Sequence, residues 1–167
     1  MSRRLRKVAL AVHLTVSIGW VGAVLAYLGL GVAAVNSERG STIRSAWIAM
    51  ELIGWWVIVP LALASLLTGV VMALGTKWGL VRYYWVLISF LLTTFATSIL
   101  LLHMPDVSTV SDQARAARGS ELERLGGDLF HAGVGLALLL FVLALNIAKP
   151  SGLTRYGWRR RASPRAS

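Results

Sequence analysis

The chain contains no cysteine among its 167 residues. That excludes disulfides, iron–sulfur clusters and thiol chemistry, and it leaves the redox compartment unmarked. Charge is scarce as well: Asp, Glu, Lys and Arg make up 14% of the residues, against roughly 25% in an ordinary soluble domain. The sequence carries no Gly-rich phosphate loop, no Ser nucleophile elbow and no HExxH zinc-protease motif. Nothing marks it as an enzyme, and a non-catalytic role is favoured. No alternating barrel pattern is present, and a closed barrel needs more strands than this length supplies.

What is there is apolar. Hydrophobic residues make up 56% of the chain, more than a soluble fold of this size could hide, so a lipid bilayer is the expected solvent. Four apolar runs, residues 8–35, 48–74, 83–103 and 129–148, are separated by polar breaks. The last two match the roughly 20 residues needed to cross hydrocarbon; the first two are longer and are expected to tilt or protrude. The sequence therefore predicts an all-α, integral membrane four-helix bundle over residues 1–148, followed by a basic tail, 149–167, without fixed structure. Arg3, Arg4, Arg6 and Lys7 resemble the start of a signal peptide. The apolar run behind them far exceeds the ~7–15 residues of a signal core, so a retained first helix is expected.

The breaks have readable chemistry. Residues 36–41 predict a polar loop, 75–79 a tight turn, and 104–127 a longer loop that holds Pro105 and a short surface helix near 120–123. Asp128, after Gly126 and Gly127, is a natural N-cap for the fourth helix. Pro60, inside the second run, is expected to kink the helix or open its backbone locally.

Net charge is +10, yet the basic residues sit at the chain ends and in one short turn, which argues against nucleic acid as a partner. Twelve of the 17 Lys and Arg residues fall in the N-terminal segment, the turn near residue 77 and the C-terminal tail; five fall in the other two loops. The positive-inside rule places both termini in the cytoplasm. Trp78, Tyr83, Tyr84, Trp85, Tyr156 and Trp158 then form an inner interfacial belt, with Trp47, Trp55 and Trp56 toward the outer side. The basic run 159–163 resembles a phosphorylation motif, but attraction to anionic lipid head groups is its expected role.

Helix association in lipid relies on small residues. Thr15, Gly19, Gly22, Ala26, Gly29 and Ala33 share one face of the first helix and are expected to pack within the bundle. Ala62, Ser65 and Gly69 in the second helix and Ala132, Gly133 and Gly135 in the fourth offer matching surfaces.

Ionisable residues inside a membrane are costly and often functional. Chain direction brings Glu51, His103 and His131, from three different helices, to one level near the outer side. Two imidazoles and a carboxylate can bind a divalent metal, two imidazoles can ligate a haem iron axially, and a Glu beside His can pass protons. Met104 adds a thioether suited to copper(I), and Asp106 and Asp128 add oxygen ligands. Glu51, His103 and His131 all lie near an interface, where polar side chains reach water, so a structural or solvated role is the preferred account of them over a shared site. His13 stands apart, near the inner side, on a face shared with Ser17, Trp20, Val24 and Tyr27, where a hydrogen-bonded packing role is expected.

His13, the following Ser17-Ile-Gly-Trp-Val-Gly22, the stretch 67–85 and Leu100-Leu-Leu-His-Met104 together resemble a family of predicted four-helix integral membrane proteins common in actinobacteria. The likeness covers most of residues 7–148 and implies a bacterial plasma membrane location. That family is distantly similar to CopD-type copper-resistance proteins and to haem-binding protoporphyrinogen-oxidase-like membrane proteins. Through the latter, His13 matches a functional histidine of a first helix, and haem b or copper becomes an implied cofactor. Two functions follow. One is a non-catalytic component of a membrane assembly, joined to a membrane protein partner or a second copy. The other is a haem- or metal-binding module that uses His103, His131 and Glu51, or His13. The first is preferred at this stage for want of a compact site.

Overall fold

The computed structural model describes residues 1–76 and 78–162, leaving aside the side chains of 119, 120, 123 and 160–162. The predicted basic motif at 159–163 therefore lies partly outside the described residues, as do Lys77 and Arg165. The fold is all-α. Helix α1 runs Arg3–Val35. The second span is continuous from Gly40 to Gly75 and consists of α2 (Gly40–Ile53), a π-helical turn (Gly54–Ile58) and α3 (Val59–Gly75). The third is α4 (Tyr84–Ala116), followed by a 3₁₀ segment (Gly119–Leu125), and the fourth is α5 (Leu129–Ala148). A short α6 (Arg155–Ala162) ends the described chain.

Among the described residues, four helices are long and apolar enough to cross a membrane, which makes this a multi-pass membrane protein. Their outward faces carry large apolar side chains such as Leu102, Phe130 and Ile147, each more than 70% exposed. In water such surface would be costly; in hydrocarbon it is matched. Each span packs on its neighbours in sequence, and α5 returns to α1 to close the ring.

The buried stripe of α1 is Trp20, Val24, Tyr27, Gly31 and Ala34, at alternating spacings of four and three. The small-residue stripe does not pack as expected. Thr15, Gly22, Ala26, Gly29 and Ala33 are exposed, and nothing approaches a Cβ built at Gly22 or Gly29. The aromatic stripe wins the interior because it shares the face of α1 that carries His13 and Ser17, whose polar groups need partners. The expected surface of α3 is confirmed: Ala62 and Ser65 are buried, and Gly69 receives the His13 ring. In α5, Ala132 is buried, whereas Gly133 and Gly135 have open space beside them.

Pro60 has the expected effect on the backbone. Its missing N–H and its ring disrupt the α-helical ladder behind it, and the chain answers with the wide turn at Gly54–Ile58, where the Val59 N–H donates to the Gly54 carbonyl. Pro105 does not. The predicted loop 104–127 is helical as far as Ala116, because Met104, Val107, Ser111 and Ala114 recur at helical spacing and pack on Ile43, Trp47 and Met50 of α2. Arg44 closes this extension: its Nε donates to the Ala114 carbonyl (2.9 Å) and its Nη2 to that of Ala117 (2.8 Å), satisfying orphan acceptors of the last turn. With 33 residues, α4 is about 50 Å long, well beyond a hydrocarbon core of about 30 Å. The part past His103 is more than a single crossing needs, and it packs with α2 and the 3₁₀ segment.

The tail is also more ordered than expected. Thr154 donates its hydroxyl to the Val81 carbonyl (2.6 Å), the Tyr84 N–H donates to Gly152, and Leu153 bridges to Tyr83. These contacts strap α6 beneath the start of α4, near an aromatic cluster in which the Trp78 ring centroid lies 5.2 Å from that of Tyr83 and 5.3 Å from that of Trp85.

Candidate metal centre

Asp128 is held in place by glycine chemistry. Gly126 adopts φ 58°, and a Cβ on Gly127 would lie 2.5 Å from the Gly31 carbonyl oxygen. Only glycine lets the loop backbone sit directly on α1 here. The Trp47 indole anchors the same loop by donating to the Gly126 carbonyl (3.1 Å). Asp128 thus enters over Tyr27 and occupies the N-cap position of α5. Its side chain makes no cap hydrogen bond, which corrects the expected capping role.

The carboxylate is spent on side chains instead. The Tyr27 hydroxyl donates to Oδ2 (3.0 Å), His103 Nε2 lies 2.7 Å from the same oxygen, and His131 Nδ1 lies 3.2 Å from Oδ1. The two imidazoles are stacked, with centroids 3.9 Å apart and planes at 27°. The Asp128 side chain is 8% exposed, while that of His131 is 49% exposed. A buried carboxylate is tolerable because three donors surround it, and the outermost of them opens the group to the exterior. One ligand atom from each of His103, Asp128 and His131 lies within 4.8 Å of the others. The set draws on α4 and on one turn of α5, with His131 three residues after Asp128.

Of the residues singled out from the sequence, His103 and His131 do meet. Glu51 does not join them. Its carboxylate is taken by Arg115 (2.6 Å), which also binds Asp112 (2.6 Å), and among the described residues the close ligand group excludes it. Arg115 reaches Glu51 because α4 continues past His103 to Ala116, which hydropathy did not foretell. Asp128 fills the place assigned to Glu51. Met104 is buried, its thioether packed against Gly54, so it is committed to the core. Asp106 is exposed. Tyr27, noted only as a face-sharing residue of His13, is the one member of the site without a sequence signal of its own.

His13 is remote, about 21 Å along α1 from Tyr27. Its Nδ1 lies 2.9 Å from the Thr68 hydroxyl, which donates onward to the Ala64 carbonyl (2.7 Å). With that hydroxyl proton committed, His13 Nδ1 carries its own proton and donates to Thr68. One turn away, the Ser17 and Ser65 hydroxyls meet at 2.8 Å. These pairs tie α1 to α3 and match the expected packing role. Comparison with protein-family models, with curated proteins and with solved structures yields no match.

Proposed function

We propose that the protein is a metal-binding membrane module that holds a divalent first-row transition ion between His103, Asp128 and His131 at the end of the bundle opposite the chain termini. The observation that carries this reading is the convergence of two imidazoles and a nearly buried carboxylate within 4.8 Å. Two nitrogens and one oxygen suit zinc(II), iron(II) or copper(II), with a remaining position for water or an external ligand. Tyr27 acts from behind, orienting the carboxylate. The arrangement favours a small ion over haem. Axial haem ligation needs two nitrogens facing each other across the iron, whereas these rings are stacked with their nitrogens on one carboxylate. The excess of Lys and Arg at the termini-bearing end supports a cytoplasmic location for both termini, in a bacterial plasma membrane, with the metal group on the outer face.

The test is titration of the detergent-purified protein with cobalt(II), followed by its d–d absorption and by zinc competition. One saturable equivalent per chain is expected, abolished in His103→Ala and in Asp128→Asn. No saturable binding, or binding unchanged in both variants, overturns the reading.

A second reading, a component that pairs with another membrane helix, is favoured by the exposed stripe Gly22, Ala26, Gly29 and Ala33 on α1. Such small residues permit close backbone approach between helices. Cross-linking of wild type against Ala26→Leu in membranes tests it: loss of a discrete higher-mass species supports pairing, and an unchanged pattern refutes it.

A further inference from the structure

All seven Asp and Glu residues lie between positions 38 and 128, at the end remote from the termini. The termini-bearing end carries twelve Lys and Arg residues and no carboxylate side chain. The fold shapes part of this end into a surface. Thr154 caps α6, accepting from the Gly157 N–H (3.2 Å) while its own hydroxyl donates to Val81. Gly157 lies so close to the chain before α4 that a Cβ there would sit 2.5 Å from the Arg82 carbonyl oxygen. The glycine face of α6 is thus pressed onto the protein. Arg155 and Arg159 are exposed, together with Trp158 (63%) and Tyr156 (50%).

Arginines interleaved with amphipathic aromatics suit a membrane interface, where rings sit among head groups and guanidinium groups meet phosphate. Residues 81–84, to which α6 is strapped, mark the start of the third span, so the short helix is held at the level where hydrocarbon gives way to head groups.

We propose that α6, with Arg155, Tyr156, Trp158 and Arg159, forms a docking surface for the head groups of anionic phospholipids. The occupant is a lipid phosphate of the surrounding leaflet, because the surface is continuous with the membrane-spanning part and presents the exposed guanidinium groups of Arg155 and Arg159. Guanidinium groups engage phosphate oxygens in bidentate fashion, and the indole and phenol fix the depth of the helix. This proposal is independent of the metal reading, whose residues lie at the opposite end.

The experiment is native mass spectrometry of the full-length protein in mild detergent, with equal amounts of phosphatidylglycerol and phosphatidylcholine. Wild type is expected to retain phosphatidylglycerol preferentially. Arg155→Gln/Arg159→Gln is expected to lose that preference by roughly fivefold per arginine removed, with phosphatidylcholine retention unchanged. Arg155→Lys/Arg159→Lys should keep most of it, and Arg39→Gln, an exposed charge at the far end, should keep all of it. Circular dichroism of each variant reports folding, and a variant that loses the preference with unchanged helical content supports the proposal. Equal retention of the two lipids by wild type, or an equal loss in Arg39→Gln, overturns it. So does a soluble acidic oligonucleotide that displaces phosphatidylglycerol completely, since the surface would then be a general polyanion site.

Discussion

The imidazoles of His103 and His131 lie face to face, 3.9 Å between centroids, because a single carboxylate, Asp128, holds both. The shared carboxylate turns one nitrogen of each ring toward the same point, where a cation can draw on their lone pairs. Protons compete with metal for imidazole nitrogen and carboxylate oxygen. Cobalt(II) affinity should therefore fall as pH is lowered, measured by titration at a series of pH values. Affinity that does not change with pH would contradict the assignment of these groups as ligands.

Tyr27→Phe removes one hydrogen bond to Asp128 and leaves the three ligand groups intact. Metal affinity should drop by about 10-fold, in the range seen for partners one step behind a ligand. His13→Ala and Glu51→Gln should leave cobalt(II) affinity unchanged, since His13 bonds Thr68 and Glu51 bonds Arg115. Loss of affinity in Glu51→Gln would restore the grouping expected from the sequence.

Gly127→Ala and Gly54→Ala insert the same methyl group with different consequences. At Gly127 the obstacle is the Gly31 backbone carbonyl; at Gly54 it is the end of the Met104 side chain. A methionine can re-pack and a helix backbone cannot. Gly127→Ala should cost about 1–3 kcal/mol and displace Asp128, lowering metal affinity. Gly54→Ala should cost less and spare the site. Thermal denaturation in detergent with parallel cobalt titration checks both.

The Ser17–Ser65 contact sits within the spans, at 2.8 Å. Hydrogen bonds between membrane helices average about 0.6 kcal/mol by double-mutant cycle. A Ser17→Ala, Ser65→Ala cycle should return a coupling of that size, measured by unfolding in mixed micelles.

Hydropathy alone located the four spans, and the last of them, 129–148, coincides with α5. It failed where apolar residues are diluted to one face. Residues 104–116 look polar in sum, yet Met104, Val107, Ser111 and Ala114 form a buried stripe at helical spacing. That stripe was present in the letters but hidden by Pro105 and by the charges opposite. The tail was misjudged for a similar reason: its order comes from Thr154 and Gly157 finding the backbone of residues 81 and 82, a long-range pairing that no local pattern encodes. His103 and His131 were placed at one level correctly by chain direction. Asp128 reads from the sequence both as a helix cap and as an oxygen donor; in the fold its carboxylate makes no cap hydrogen bond and meets Tyr27, His103 and His131 instead. Glu51 was drawn elsewhere by Arg115, whose reach depends on the unforeseen extension of α4.

The wide turn at Gly54–Ile58 sets the angular phase between the two halves of the second span. Deleting one residue within it, together with Pro60→Ala, would rebuild an unbroken α-helix and rotate everything before it by about 100° relative to α3. Ile43 and Met50 would swing out of the core, and the Trp47 indole would leave the Gly126 carbonyl that it steadies. The group of His103, Asp128 and His131 would then lose its footing without any of the three having been touched, so the helical register of one span governs an arrangement carried by two others.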